Sequence, residues 1–204
     1  MDSHVDRIDH YRRMLRHALP SETRSTLEWL LVDAVRLRAA QKQGKPPWAQ
    51  YRAPKLVAIA DRAVTEAAMA TRLMGSQFAN MQLYIASQDT LLLLAYRNFD
   101  PGFVGRFACF SPDGRTTCSR AVASGHRVIL EDIEADERFA PHLPTALAAG
   151  FRALQSTPLT SGAGVPFGVL TTHFAAPHAF SNDELGELDA HARRVSSELM
   201  RAWG

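Results

Sequence analysis

The segment from Phe151 to Phe174, FRALQSTPLTSGAGVPFGVLTTHF, restricts the possible folds of this chain more than any other segment. Two runs of strand-forming residues flank the turn-forming sequence SGAG, which predicts an antiparallel hairpin. Side chains alternate between the two faces of a strand. One face of the first strand then holds Phe151, Ala153, Gln155, Thr157 and Leu159, and one face of the second holds Phe167, Val169, Thr171 and His173.

This hairpin contains more polar residues than a strand that only fills a core. The first strand passes through Gln155, Ser156 and Thr157, and the second ends in Thr171, Thr172 and His173. Amides, hydroxyls and a neutral imidazole offer donors and acceptors without a fixed charge, which suits a small polar or heterocyclic ligand. The same groups could instead form a cross-strand hydrogen-bond network that satisfies buried side chains. The sequence leaves both interpretations open.

The remainder of the chain divides into three regions. Residues 1–45 have two helical patterns joined by a short turn, which predicts an N-terminal helical hairpin. Residues 46–54 contain Pro46, Pro47 and Pro54 and form the predicted linker. Residues 55–204 alternate helices with strands and end in a long helix from Ser181, with Glu184 completing a capping box. The order of elements predicts an α+β domain with one sheet and helices on its faces.

Composition and charge favour a globular cytoplasmic protein. The 204 residues are 46% hydrophobic and 22% charged, and no apolar run approaches the roughly 18–20 residues of a membrane helix. Two cysteines suit a reducing compartment. Residues 1–55 hold 11 lysines and arginines against 6 acidic residues, but no basic stripe is interleaved with aromatics. We therefore expect neither membrane insertion nor nucleic-acid binding.

From Leu56 to Trp203 the sequence resembles a GAF domain of bacterial signalling proteins. The resemblance depends on four segments in order: NMQLYIAS, TTCSRAVASGHRVILEDIEADERFAPH, ALAAGFRALQSTPL, and GVLTTHFAAPHAFSNDELGELDAHA. It implies a central antiparallel or mixed sheet flanked by helices, here preceded by the helical hairpin. GAF domains hold cyclic nucleotides, bilins, haem, small metabolites or no known ligand, so the resemblance names no cofactor.

The specialised chemistries of GAF proteins are poorly matched by these residues. The segment FAPHLPTALAAG has no cysteine for covalent bilin attachment, and only Phe180, Asp183 and Glu184 remain of a cyclic-nucleotide signature. Cys109 and Cys118 lie near the positions of two cysteines of free methionine-(R)-sulfoxide reductase, but a further cysteine is missing. Two structural thiols are the alternative interpretation. No histidine or acidic spacing predicts a metal site.

The strand order of the GAF fold suggests where a ligand would bind. It places the first strand beside the last, and the last beside the preceding one. Six polar residues are then expected on one sheet face, with Phe107 of the 103–110 loop above them: Asn80, Gln82, Gln155, Thr157, Thr171 and His173.

We therefore expect a cytoplasmic GAF-type sensory or regulatory module in signal transduction. It would bind a small molecule, dimerise through its terminal helices, and control a partner protein without catalysis of its own. Two alternatives remain: a thiol-based reductase or redox sensor that uses Cys109 and Cys118, and a purely structural dimerisation module.

Overall fold

The computed structural model describes residues 54–86, 89–107 and 109–203. The predicted hairpin of residues 1–45 lies outside the described residues, as does the linker apart from Pro54. The compact unit considered below runs from Arg62 to Ala202.

Five helices and six strands make up the described chain. The helices are α1 (Pro54–Met74), α2 (Pro101–Arg106), α3 (Thr117–Ser124), α4 (Leu143–Ala148) and α5 (Asn182–Trp203). The strands are β1 (Phe78–Ile85), β2 (Thr90–Arg97), β3 (Cys109–Phe110), β4 (Val128–Leu130), β5 (Ala153–Thr160) and β6 (Pro166–Phe174). Two short 3₁₀ helices, Ile133–Ala135 and Ala140–His142, lie between β4 and α4.

The six strands form one sheet in the order β3-β2-β1-β6-β5-β4. Every strand pair in the described chain is antiparallel, so the sheet is antiparallel and not mixed. The predicted α+β architecture is confirmed, and β5 and β6 form the predicted antiparallel hairpin. This strand order places β1, the first strand, beside β6, the last strand. The two ends of the domain are therefore close together.

Helices α1 and α5 lie side by side. Leu188, Ala192, Val195 and Leu199 are buried on α5, as their three- and four-residue spacing predicts. His191 Nε2 of α5 is 3.3 Å from the backbone carbonyl of Glu66 in α1. The predicted capping box is present, because the Ser181 amide donates to Glu184 Oε2 at 2.8 Å and the Glu184 amide donates to Ser181 Oγ at 3.2 Å.

Helix α3 covers part of one sheet face. Its N-cap, Thr116, accepts a hydrogen bond from the Ser119 amide, and Gly125 ends it in the left-handed conformation with φ 70°. Ala121 and Val122 of the helix pack with Leu91 and Val169 of the sheet. Thr116 and Gly125 therefore mark the two ends of α3.

The β5–β6 hairpin contains one irregularity close to its turn. Leu159 is opposite Gly168 but Thr160 is opposite Pro166, so Phe167 is an extra residue on β6. Beyond this point Gln155 is opposite Thr172, and Ser156 is opposite Thr171. A one-residue offset exchanges which side chains of the two strands share a face.

Gly168 of β6 lies opposite Leu83 of β1. A Cβ atom added at Gly168 would be 2.6 Å from the backbone oxygen of Gln82, a distance that requires the backbone to shift. By contrast, a Cβ atom added at Gly186 of α5 would have no atom within 4 Å.

We expect Gly168→Ala and Gly186→Ala to change stability in opposite directions. Gly168→Ala should lower the free energy of unfolding by about 1–3 kcal/mol through overpacking. Gly186→Ala should raise it by about 0.5–1 kcal/mol, because alanine favours helix more than glycine does. Urea denaturation followed by circular dichroism measures both. Equal effects of the two substitutions would contradict the close approach at Gly168.

Candidate functional site

The register of three adjacent strands determines which polar residues share a face. Asn80 of β1 is opposite Thr171 of β6, and Phe78 is opposite His173. On the other side of β6, Thr171 is opposite Ser156. Four of the predicted site residues, Asn80, Gln82, Thr171 and His173, therefore lie on one face, together with Ser156.

The prediction that Gln155 and Thr157 share this face is wrong. Gln155 and Thr157 lie on the same face of β5, as alternation predicts. That face is on the opposite side of the sheet, where Gln155 is paired with Thr172. The physical reason is the extra residue Phe167, which offsets the pairing of β5 with β6 by one position. The hairpin therefore presents different polar groups to each side of the sheet.

Gln155 and Thr157 belong to a hydrogen-bond network. Gln155 Nε2 donates to Thr172 Oγ1 at 3.1 Å, and Thr157 Oγ1 donates to Gln155 Oε1 at 2.7 Å. Arg127 Nε donates to Thr157 Oγ1 at 2.8 Å, and Nη2 of the same guanidinium pairs with Asp189 of α5. For these two residues, the scaffolding interpretation describes what their side chains do.

A small cavity of about 30 Å³ lies on the face that contains Asn80 and Thr171. We call its polar strand residues the floor: Asn80, Gln82, Thr171 and His173. We call its phenylalanines the roof: Phe103, Phe107, Phe139 and Phe151. Leu154 and the first residues of α3 with their cap complete the lining: Thr116, Thr117 and Cys118. The volume is enough for one or two water molecules.

The roof is a cluster of aromatic rings in mutual contact. Phe103 stacks on Phe99 with 4.0 Å between ring centroids, and Phe107 lies 4.8 Å from Phe103. The ring of Phe151 meets His173 edge-on at 4.6 Å. Phe107 therefore lies above the polar face, as the sequence predicts.

Three polar atoms of the floor are buried without a hydrogen-bond partner among the described residues. They are Asn80 Oδ1, Gln82 Oε1 and His173 Nδ1. An unsatisfied buried polar group costs about 1–3 kcal/mol, so such groups are rare in native proteins. Their concentration around one cavity marks this cavity as the candidate ligand site.

The hydroxyl group of floor residue Thr171 already forms a hydrogen bond with the neighbouring strand β5. Ser156 Oγ donates to Thr117 Oγ1 at 2.8 Å and lies 2.9 Å from Thr171 Oγ1. Because the Ser156 proton points to Thr117, the Thr171 hydroxyl donates to Ser156. The hydroxyls thus join β5, β6 and α3, and the free hydrogen-bonding capacity lies with the amide oxygens and the imidazole.

His173 is neutral in the folded protein. Burial lowers the pKa of His173 to about 3, and a backbone hydrogen bond with Phe78 opposes the shift only in part. Because the imidazole donates to that backbone and Nδ1 has no partner, Nδ1 presents a lone pair.

A second histidine at the margin of the site was not among the predicted residues. His142 Nε2 lies 2.9 Å from Asp113 Oδ2, and its Nδ1 is buried and unpartnered. The ring lies 5.9 Å from Phe107 and 5.8 Å from Phe139, both roof residues. The carboxylate accepts the hydrogen bond from Nε2, and Nδ1 is left without a partner among the described residues. Sequence alone gave no sign of this pairing, because the two residues are 29 positions apart.

The thiol of Cys118 is not activated. Burial raises the pKa of Cys118 to about 11, although a hydrogen bond from Thr116 and the backbone amides at the start of α3 favour the thiolate. The position of Cys118 at the start of α3 therefore does not produce an activated thiolate. Cys109 lies on β3 opposite Leu92 of β2.

The fold described above is that of a known family. The family model described as GAF domain matches residues 57–198. The chain belongs to the GAF domain family. No curated protein matches the chain.

Solved structures with the same fold include proteins of different activities. The GAF domain of a phosphoenolpyruvate-protein phosphotransferase from Coxiella burnetii is 13% identical, with 83% of this chain and 94% of that chain covered and a TM-score of 0.61. A GAF domain/HD domain protein from Geobacter sulfurreducens is 12% identical, with coverages of 75% and 99% and a TM-score of 0.62. A free methionine-R-sulfoxide reductase from Neisseria meningitidis, solved with its substrate, is 20% identical, with coverages of 71% and 78% and a TM-score of 0.55. These similarities concern the fold alone.

Two features are absent from the described residues. None of their helices combines the length and apolar character that a membrane span requires. Within residues 54–86, 89–107 and 109–203, no three histidine, cysteine or acidic side chains are grouped as metal ligands.

The first prediction from the site concerns pH. Between about pH 3 and 6.5 the unfolded chain binds a proton at His173 that the folded protein does not bind. The free energy of unfolding should therefore fall as pH decreases below 6.5, by up to about 1.4 kcal/mol per pH unit. Urea titrations at neutral and mildly acidic pH should show a weaker pH dependence for His173→Gln.

The exposed His126 provides the matched control. His126→Gln should keep the pH dependence of the wild-type protein. If His173→Gln keeps it as well, the imidazole of His173 is not buried in its neutral form.

A second prediction concerns the thiol. In a Cys109→Ser background, Cys118 should react with iodoacetamide at least about 100-fold more slowly in the folded protein than in urea, given the shift of its pKa from 9.0 to about 11. Mass spectrometry of the Cys118 peptide measures both rates. Comparable rates in the two conditions would show that the thiol is accessible and ionised.

Proposed function

We propose that this chain is a sensory or regulatory module that binds a small molecule in the cavity between floor and roof. GAF domains serve as sensor modules in signalling proteins. The observation that most supports a ligand is the set of three unpartnered floor atoms: Asn80 Oδ1, Gln82 Oε1 and His173 Nδ1. A ligand that hydrogen-bonds to them would remove a cost of about 1–3 kcal/mol at each atom.

Ligand entry would require the roof to move. The cavity of about 30 Å³ is much smaller than the 300–1,000 Å³ typical of ligand pockets. Phe103 lies on the short helix α2 and Phe107 directly follows it, so this helix is the element whose displacement would open the cavity. The ligand would then bind more tightly to an open arrangement of the domain than to the closed one. A sensor needs this difference in affinity, because it allows the ligand to change the population of the two arrangements.

The output would pass through the terminal helices to a partner protein. Val64 on α1 and Met200 on α5 are each 41% exposed, and both are apolar residues available for contact with a second copy of the chain. Network residue Asp189 joins α5 to Arg127 and thereby to the strands of the hairpin. We propose a cytoplasmic homodimer whose helix arrangement responds to the ligand.

The proposed module has no catalytic step of its own. The buried Cys118, with its raised pKa, argues against a reductase that uses this residue as a nucleophile. Oxidant titration followed by mass spectrometry tests this part of the proposal. A Cys109–Cys118 disulfide or a sulfenate at Cys118 would favour the thiol-based alternative.

The chain contains a matched pair of amides that tests the ligand site. Gln82 has an unpartnered oxygen on the floor, whereas both side-chain termini of Gln155 are hydrogen-bonded on the opposite face. We expect Gln82→Met to raise the unfolding free energy of the ligand-free protein by about 1 kcal/mol. We expect Gln155→Met to lower it by about 1–3 kcal/mol, since its buried partners lose their bonds.

Ligand binding is measured in the same variants. Native mass spectrometry of freshly purified protein should detect a bound small molecule and two subunits. The same molecule should raise the melting temperature of the wild-type protein, and Gln82→Met should abolish this increase. A Gln82→Met variant that is less stable than the wild-type protein, together with no bound molecule, would instead indicate scaffolding.

A further inference from the structure

The unpartnered atoms around the cavity all have the same hydrogen-bonding character. Asn80 Oδ1 and Gln82 Oε1 are amide oxygens, and Nδ1 of His173 is an imidazole nitrogen with a lone pair. His142 Nδ1, next to roof residues Phe107 and Phe139, is a further buried nitrogen without a partner. The three unpartnered atoms of the floor are acceptors.

Several donors on the same side are used within the protein. The hydroxyls of Ser156 and Thr171 donate along the chain that ends at Thr117. The imidazole N–H of His142 is directed at Asp113. A bound molecule with N–H donors would therefore satisfy the two unpartnered amide oxygens and the unpartnered imidazole nitrogen of the floor.

The charge of the lining restricts the ligand further. The described lining residues include no lysine, arginine, aspartate or glutamate. An anion would have no counter-charge here, and burying an unpaired ion costs several kcal/mol. A cation would lack a free carboxylate as well, because Asp113 is already paired with His142 and with the amides of Arg115 and Thr116.

The roof restricts the shape of the ligand. Phe103 and Phe99 stack almost parallel, with an interplanar angle of 13°, while Phe151 and His173 meet edge-on. Flat rings pack against such surfaces in offset-stacked or edge-to-face geometry, worth about 0.5–1.5 kcal/mol for each pair.

We infer that the ligand is an uncharged, planar heteroaromatic molecule with N–H donors, held by the amide oxygens of Asn80 and Gln82 beneath the phenylalanine roof. This inference rests on the proposed function, because it names the ligand class of that same cavity. It excludes carboxylates and phosphates, including cyclic nucleotides, whose anionic group the lining cannot pair.

Three probes of equal ring size test the ligand class. 2-Aminopyrimidine is uncharged at neutral pH and has an exocyclic amine with two N–H donors. Pyrimidine has the same ring without donors, and pyrimidine-2-carboxylate adds an anion. We expect protein-detected NMR titration of the full chain to show 2-aminopyrimidine binding about 10-fold more tightly than pyrimidine, because one or two additional hydrogen bonds form. The carboxylate should not bind.

Substitutions on the two faces of the sheet test which side chains produce the preference for a ligand with N–H donors. In the double variant Asn80→Leu with Gln82→Met, we expect the preference for 2-aminopyrimidine over pyrimidine to fall from about 10-fold to about 1, while pyrimidine still binds to the roof. Gln155→Met removes an amide on the opposite face and should keep the preference. These results together would support the inferred ligand class.

Other outcomes overturn the inference without deciding the proposed function. Equal binding of pyrimidine and 2-aminopyrimidine, or tighter binding of the carboxylate, would overturn the ligand class while supporting a ligand site. Absence of binding by all three probes at millimolar concentration would also overturn the class. The stability comparison of Gln82→Met with Gln155→Met uses no probe, so it tests the proposed function separately.

Discussion

The pairing of β5 with β6 is the constraint on which the rest of the structure depends. Phe167 is an extra residue on β6, because Leu159 is opposite Gly168 while Thr160 is opposite Pro166. This offset places Ser156 beside Thr171 on the cavity face and Gln155 beside Thr172 on the other. Without the offset, the side chains of β5 would exchange faces relative to β6. The cavity would then contain a different set of polar groups.

The two faces of this hairpin use similar residues for different purposes. On one face, Gln155 and Thr157 satisfy each other and connect through Arg127 to Asp189 on α5. On the other, the oxygens of Asn80 and Gln82 have no partner within the described chain. Residue type alone therefore does not distinguish scaffolding from a binding site. The distinction depends on whether each hydrogen-bonding atom has a partner.

Sequence patterns predicted the elements of the fold well and their alignment poorly. Periodicity and capping located the buried stripe and the N-terminus of α5, and strand alternation correctly grouped Gln155 with Thr157. Alternation contains no information about a single extra residue near a turn, so the face of Gln155 was wrong. The pairing of His142 with Asp113 depends on contacts between distant segments, and no local pattern indicates it. Burial of Cys118 likewise comes from packing, and its effect on the pKa outweighs that of the hydrogen bonds from Thr116 and the backbone amides at the start of α3.

The tightness of the cavity has a consequence for the rates of ligand exchange. The space of about 30 Å³ lies beneath stacked phenylalanine rings, so a ring-sized molecule reaches the floor only after Phe103 and Phe107 separate from it. Under the proposed function, association is then governed by how often α2 moves away and not by diffusional encounter. Under the same proposal, rings that repack over the bound molecule also slow its dissociation. A module of this kind stays in its ligand-bound state after the free ligand has gone, for as long as the phenylalanine rings remain packed over the bound molecule.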